Sequence, residues 1–101
     1  MSNESKVGIR LLTLSDCDYC MWLKSELDAT GITYTNIDAN IFSEFADAIE
    51  DKYKCEAYPM VFIEYSNKVI ALVPETELPT SELLRTFDSI PELVKMIKTY
   101  I

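Results

Sequence analysis

Two cysteines three positions apart, Cys17 and Cys20, are the residues of this sequence best suited to chemistry. They stand in the stretch DCDYC, residues 16–20. A thiolate attacks a disulfide sulfur to form a mixed disulfide, and a second thiol nearby can then release the product. The spacing therefore favours a redox pair. Half of a metal site and two inert buried thiols are the alternatives.

The composition limits the metal alternative. The sequence has no histidine and three cysteines, whereas a structural zinc site takes about four nitrogen or sulfur ligands. A zinc site within one chain is therefore not expected. The third cysteine, Cys55, is interpreted as an incidental thiol near a helix end, and a metal cluster shared by two chains stays open.

Length and charge narrow the class of protein. A chain of 101 residues with 49% hydrophobic content predicts one domain over residues 1–101. The formal net charge of −8 argues against nucleic-acid binding, because phosphates reward clusters of lysine and arginine. No stretch is apolar enough for a membrane span or a secretory signal. We therefore expect a soluble, cytoplasmic monomer with no membrane partner.

The apolar patterns alternate between the periods of strands and helices. They predict strands over residues 6–14, 32–38, 59–65 and 69–73. They also predict three helices: one over residues 17–30, one from a cap at Asn40 to Tyr53, and one that begins after a capping box of Ser89 and Glu92. The second helix would bury a face of Phe42, Phe45, Ala46, Ile49 and Tyr53, and a short helical turn is expected over 81–85. The order β-α-β-α-β-β-α predicts an α/β fold. Its mixed four-stranded sheet would have helices on both faces and a parallel first strand pair.

The cysteine pair falls where the first strand ends and the first helix begins. Unpaired N–H groups and the helix dipole stabilise an anion there, so Cys17 is the expected nucleophile. Cys20 lies one turn further on the same face and is the expected resolving thiol. Ser15 or Asp16 is predicted to cap the helix. Asp16 and Asp18 would partly oppose a thiolate at Cys17.

Four segments resemble the glutaredoxin family of the thioredoxin-fold superfamily. CDYC resembles the family's Cys-Pro-Tyr-Cys, with Asp18 in place of proline, and AYPMVF (57–62) resembles its Thr-Val-Pro segment. GITYTNID (31–38) resembles the strand after the first helix. TFDSIPEL (86–93) resembles the region that opens the last helix and binds the γ-glutamyl end of glutathione. The resemblance implies a thioredoxin-like fold.

The resemblance also implies a function. A glutathione-dependent thiol–disulfide oxidoreductase is expected, which acts on disulfide-containing or glutathionylated proteins and uses glutathione as co-substrate, with no prosthetic group. The alternatives are a thioredoxin-like reductant served by a thioredoxin reductase, and a non-catalytic adaptor or iron–sulfur cluster carrier.

Each expected glutathione contact follows from a matching position in the family. The backbone of Tyr58 would bind the tripeptide beside a cis Pro59 that faces Cys17. The other expected contacts are Tyr19, Phe87, Asp88, and Lys52 or Lys54. Several of these contacts have a simpler interpretation, since the lysines fit a solvated helix face, Phe87 fits the core and Asp88 fits a helix start. Trp22, which is not among the expected contacts, is interpreted as a packing residue.

Overall fold

Strands and helices alternate through most of the chain in the computed structural model, which describes residues 7–101. The elements are β1 (Gly8–Thr13), α1 (Asp18–Ala29), β2 (Thr35–Asp38), α2 (Ser43–Tyr53), β3 (Met60–Tyr65), β4 (Lys68–Val73), β5 (Leu84–Thr86) and α3 (Ile90–Lys98). Lys6, the predicted first residue of the first strand, lies outside the described part of the chain. Across residues 7–101, no helix has the length and apolar character needed to cross a bilayer.

The strands form one mixed sheet in the order β2-β1-β3-β4-β5. β1 and β2 are parallel, with Arg10 opposite Thr35, which confirms the predicted first pair. β3 runs antiparallel to both β1 and β4. The four strands predicted from the sequence are therefore all present, and they are adjacent in the sheet.

The fifth strand corrects the prediction of a helical turn over residues 81–85. The N–H of Ala71 donates to the carbonyl of Leu83 at 2.9 Å, and β5 continues this edge parallel to β4. Leu84 is buried in the core. An open strand edge carries a row of unpaired backbone groups, so pairing with β4 outweighs the weak local preference for a helix.

The two faces of the sheet bury separate cores, which confirms that helices cover both. Leu11 and Val61 pack with α1 and α3 on one face. Leu12 and Met60 point to the opposite face, where Ala46 of α2 packs. Side chains along a strand alternate between faces, so one run of apolar residues serves both cores. The predicted inner face of α3, which comprises Ile90, Leu93, Val94 and Ile97, is buried as expected.

The start of α2 differs from the prediction. The Asp38 carboxylate accepts from the N–H of Asn40 at 2.8 Å, and the Asp38 carbonyl accepts from Phe42 at 2.9 Å. This turn delays the helix to Ser43, so Asn40 is not its cap. The predicted apolar face is also wrong at its first residues, because Phe42 and Phe45 are largely exposed.

Two turns adopt left-handed backbone angles that their residue types tolerate. Gly31 follows the end of α1 with φ of 75°, as expected of a helix stop. Ser66 and Asn67 join β3 to β4 with φ of 52° and 64°. A two-residue hairpin turn with both central φ angles positive matches the twist of its strands. The predicted turn at this position is confirmed.

Candidate active site

The two cysteines at the start of α1 are joined as a disulfide. Their Cα atoms lie 5.2 Å apart, within the range that a disulfide spans. Cys17 is half-buried, whereas Cys20 is fully buried. An incoming thiol or disulfide therefore reaches Cys17 and not Cys20. This accessibility supports the predicted division between nucleophile and resolving thiol.

Cys17 is itself the N-cap of α1, which corrects the prediction of Ser15 or Asp16. Its backbone is extended, with φ of −100° and ψ of 114°, and its Sγ accepts from the N–H of Cys20 at 3.1 Å. A capping side chain takes one of the N–H groups that have no partner within the helix. A thiolate at this position would accept the same hydrogen bond, which favours the anion over the neutral thiol.

Asp18 is the first residue of α1 and stands next to Cys17. We expect Asp18→Asn to lower the pKa of the Cys17 thiol in reduced protein by a fraction of a unit to about one unit. A neighbouring carboxylate disfavours the thiolate, and the substitution removes that charge while keeping the shape of the side chain. The pH dependence of the Cys17 alkylation rate at low salt measures the shift.

The control for this substitution is Glu26→Gln on the same helix. Glu26 is also exposed, and it lies eight residues further, or about 12 Å along the helix axis. Screening at that distance should leave the pKa of Cys17 unchanged. Equal pKa values in the wild type and the Asp18→Asn protein would show that the acidic motif does not tune the thiol.

A cavity of about 530 Å³ lies beside the cysteine motif. It brings together Tyr19, Tyr58, Pro59, Phe87 and Asp88, five of the predicted contacts. The remaining lining residues are Trp22, Ala57, Pro74, Ser89 and Ile90. Three segments that are distant in sequence thus meet at one site: the first turns of α1, the residues before β3, and the start of α3.

Residues 57–59 form the wall of this cavity that precedes β3. The Tyr58–Pro59 peptide bond is cis, as the family resemblance implied. The hydroxyl of Tyr58 donates to the Glu50 carboxylate of α2. Burial, together with this carboxylate, raises the pKa of the Tyr58 hydroxyl, which therefore stays protonated and keeps donating. The contact fixes the Tyr58 side chain against α2.

The wall at the start of α3 is organised by a capping box. Ser89 is the N-cap, and its Oγ accepts from the N–H of Glu92 at 3.2 Å, as predicted. The Glu92 carboxylate returns to the N–H of Asp88, one residue before the cap, at 2.7 Å. Phe87 is 7% exposed and belongs to the core, while the Asp88 side chain is exposed. Phe87 therefore fits both interpretations, as a residue that lines the cavity and as a residue of the core.

The two lysines expected to contact glutathione lie outside this cavity. Lys54 forms an ion pair with Asp51 at 3.2 Å, and Lys52 stands 5.4 Å from the centre of the Tyr53 ring. Lys54 instead lines a second cavity of about 600 Å³ beside α2. The structure does not bring these lysines together with the other predicted contacts, and their role stays a prediction.

Cys55 is among the residues that line the second cavity, yet it is buried at 2% exposure, and its thiol donates to the carbonyl of Ala57 at 3.5 Å. Burial raises the pKa of the Cys55 thiol. The thiolate is the reactive form, so Cys55 should resist alkylation in folded, reduced protein at pH 8 while Cys17 reacts. We expect its alkylation to be slower than that of an unhindered thiol, because burial both raises its pKa and shields the sulfur from the reagent.

Mass spectrometry of the alkylated peptides measures both rates, and urea-unfolded protein is the control in which Cys55 should react freely. Comparable rates for Cys17 and Cys55 in the folded protein would identify Cys55 as a second reactive thiol.

Some residues of the site were missed by sequence analysis. Trp22 was assigned to packing, yet it is 44% exposed and its ring stacks on Tyr19 with centroids 6.4 Å apart. The signal available in the sequence was the spacing of three residues, which places the two aromatic side chains on the same face of the helix. No local sequence pattern pointed to Glu50 or to its hydrogen bond with Tyr58. Within residues 7–101, no cluster of three or more acidic, cysteine or histidine side chains is arranged to hold a metal ion.

Three comparisons with known proteins bear on this site. The family model for glutaredoxin matches residues 9–72, which contain the cysteine motif and the cis proline. A solved structure described as "Structure of a malarial protein" aligns with a TM-score of 0.52 at 15% identity, covering 95% of this chain and 98% of that one. At this identity the likeness shows the thioredoxin-like fold alone. No curated protein matches the chain.

Proposed function

The chain belongs to the glutaredoxin family, and from that premise we propose that it is a glutathione-dependent oxidoreductase for disulfides in proteins and mixed disulfides with glutathione. The coarser activity, thiol–disulfide exchange, follows from the family and from the close cysteine pair. One observation carries the proposal. A half-buried Cys17 is linked to a fully buried Cys20 at a helix start, beside a cavity able to receive a substrate segment.

The reaction converts the two thiols of Cys17 and Cys20 and one substrate disulfide into the Cys17–Cys20 disulfide and two substrate thiols. The Cys17 thiolate attacks one sulfur of the substrate disulfide, whose bond breaks, and the departing sulfur takes up a proton. The Cys20 thiol then loses its proton and attacks the Cys17 sulfur of the mixed disulfide. The second substrate thiol leaves, and the Cys17–Cys20 disulfide of the structure is the product.

Two glutathione molecules restore the dithiol. The first attacks the accessible Cys17 sulfur and releases Cys20 as a thiol. The second attacks the resulting mixed disulfide, releases Cys17 and becomes half of oxidised glutathione. The hydrogen bond from the N–H of Cys20 to the Cys17 sulfur favours Cys17 as the leaving thiolate in the last step.

The test compares two reductants at steady state. Purified protein is given a disulfide-containing protein and either glutathione with its reductase or a thioredoxin reductase with NADPH. The proposal expects faster turnover with glutathione. Turnover with the thioredoxin reductase alone would assign the chain a thioredoxin-like role. Turnover with neither reductant would favour the adaptor alternative.

A further inference from the structure

We propose that Glu50 is a positioning residue of the active site, which holds residues 57–59 where the backbone of Tyr58 can pair with the peptide groups of a substrate. This inference rests on the proposed oxidoreductase function and adds a residue to the same site. Glu50 lies on α2 and lines the second cavity rather than the one beside Cys17. It therefore acts through Tyr58 and not by touching the substrate.

Tyr58 carries the backbone groups that a substrate can use. It lines the cavity beside Cys17 and precedes the buried Pro59. Within residues 7–101, neither the N–H nor the C=O of Tyr58 forms a hydrogen bond to another group of the protein. Unpaired backbone groups of this kind bind an extended peptide in the manner of an added strand. A disulfide that reaches Cys17 on a peptide chain brings peptide groups of its own to this position.

The segment between α2 and β3 has few hydrogen bonds that hold these groups in place. The N–H of Cys55 donates to the backbone carbonyl of Glu50 at 3.1 Å. The thiol of Cys55 contacts the carbonyl of Ala57 at 3.5 Å, but a thiol is a weak donor. The hydroxyl of Tyr58 donates to the Glu50 carboxylate. Glu50 thus accepts from both ends of residues 55–58, once through its backbone and once through its side chain.

The place of Glu50 in α2 suits an anchor. It follows the buried Ala46 by one turn and precedes the half-buried Tyr53 by another, and both neighbours pack in the core beneath α2. A hydrogen bond to an ionised carboxylate is stronger than one between neutral groups. Burial and the Glu50 carboxylate raise the pKa of the Tyr58 hydroxyl, which therefore stays a donor. The bond ties Tyr58 to a helix that the core holds in place.

Loss of this bond should affect one class of substrate more than another. A half-buried Tyr58 side chain without a partner is free to change its rotamer, and the backbone of residues 57–59 can then shift with it. A small displacement of a positioning group lowers a rate by up to about a hundredfold. Disulfides with peptide groups depend on that backbone, whereas a disulfide without them needs only to reach the Cys17 sulfur.

The test uses Tyr58→Phe, which removes the donor and keeps the ring, and Glu50→Ala, which removes the acceptor. Each reduced protein is mixed with a glutathionylated peptide and, separately, with bis(2-hydroxyethyl) disulfide, which has no peptide group. The second-order rate at which protein thiols are lost is measured for both. We expect both variants to react about tenfold more slowly with the glutathionylated peptide, and within about twofold of the wild type with the small disulfide.

Three further variants serve as controls. Glu50→Gln keeps an oxygen that accepts from the hydroxyl, so its rate with the glutathionylated peptide should stay within about threefold of the wild type. Glu44→Ala removes another carboxylate of α2, outside both cavities, and should match the wild type. Glu50→Ala combined with Tyr58→Phe should be no slower than the slower single variant, because both substitutions break the same bond.

The outcomes separate the inference from the proposed function. A wild-type rate for Tyr58→Phe with the glutathionylated peptide would overturn the inference, as would equal slowing with both disulfides, which would place the effect at Cys17 or in the fold. Equal losses in Glu50→Gln and Glu50→Ala would assign the effect to charge and overturn the role of the hydrogen bond. In all three cases the wild type still reacts. No reaction of the wild type with the glutathionylated peptide would overturn the proposed function itself.

Discussion

We expect Cys17→Ser to abolish the reduction of every disulfide substrate, with kcat/KM lowered on the order of a thousandfold or more, as loss of a nucleophile does in other enzymes. The reason is positional. Cys17 is the accessible sulfur of the pair, and its Sγ already accepts the hydrogen bond that would stabilise a thiolate. A serine hydroxyl there is protonated at neutral pH and cannot form a disulfide. Steady-state rates with a protein disulfide and with a glutathionylated peptide measure the loss.

Cys20→Ser separates the two halves of the mechanism. Cys20 is fully buried, and in the proposed mechanism it acts only on the mixed disulfide at Cys17. Glutathione can replace it when the product is a single thiol, so reduction of a glutathionylated peptide should persist. Reduction of a protein disulfide should fall strongly, because its mixed disulfide then waits for an external thiol.

The matched control is Cys55→Ala, which removes the remaining thiol. Cys55 is buried and takes no part in the steps above, so both activities should stay at the wild-type level. Retained activity in Cys17→Ser, combined with loss in Cys55→Ala, would place the chemistry at Cys55. Retained activity in both would end the enzymatic proposal.

The cysteine motif and the last helix could be predicted because their signals are local. The i, i+3 spacing of the cysteines follows from the pitch of a helix. The capping box at Ser89 joins residues within one turn, and the structure places the helix start there. Even so, the cap of α1 was assigned to the wrong residue, because Ser15 and Asp16 are common caps and a thiol is not. The extended backbone of Cys17 and the hydrogen bond that its sulfur accepts identify it as the N-cap.

The cavity could be predicted only in part, because its walls come from three distant segments. The family resemblance supplied Tyr58, Pro59 and Asp88. It could not supply the contact between Tyr58 and Glu50, which joins residues eight apart across the end of a helix. Residues 74–83, which join β4 to β5, also depend on long-range contacts. The hydroxyl of Thr76 donates to the carbonyl of Tyr53 at 2.6 Å, which attaches this segment to α2.

Leu23→Ala should lower the free energy of unfolding by about 2–5 kcal/mol, the range found when a buried leucine is truncated to alanine. Leu23 is fully buried in the core between the sheet, α1 and α3, one turn beyond Cys20. Its truncation removes contacts that hold the helix bearing both cysteines. A domain of this size is stable by about 5–15 kcal/mol, so the loss is a large fraction. Urea denaturation followed by tryptophan fluorescence measures it.

Met21→Ala is the matched control, since Met21 lies two residues away on the same helix and is 53% exposed. Exposed substitutions of this kind usually change stability by about 0.5 kcal/mol or less. The contrast between the two variants tests which face of α1 meets the sheet. If Leu23→Ala cost no more than Met21→Ala, the inner face of α1 would not be packed as described. The burial of Cys20, which lies on that face, would lose its support, and with it the reason why substrates reach Cys17 first.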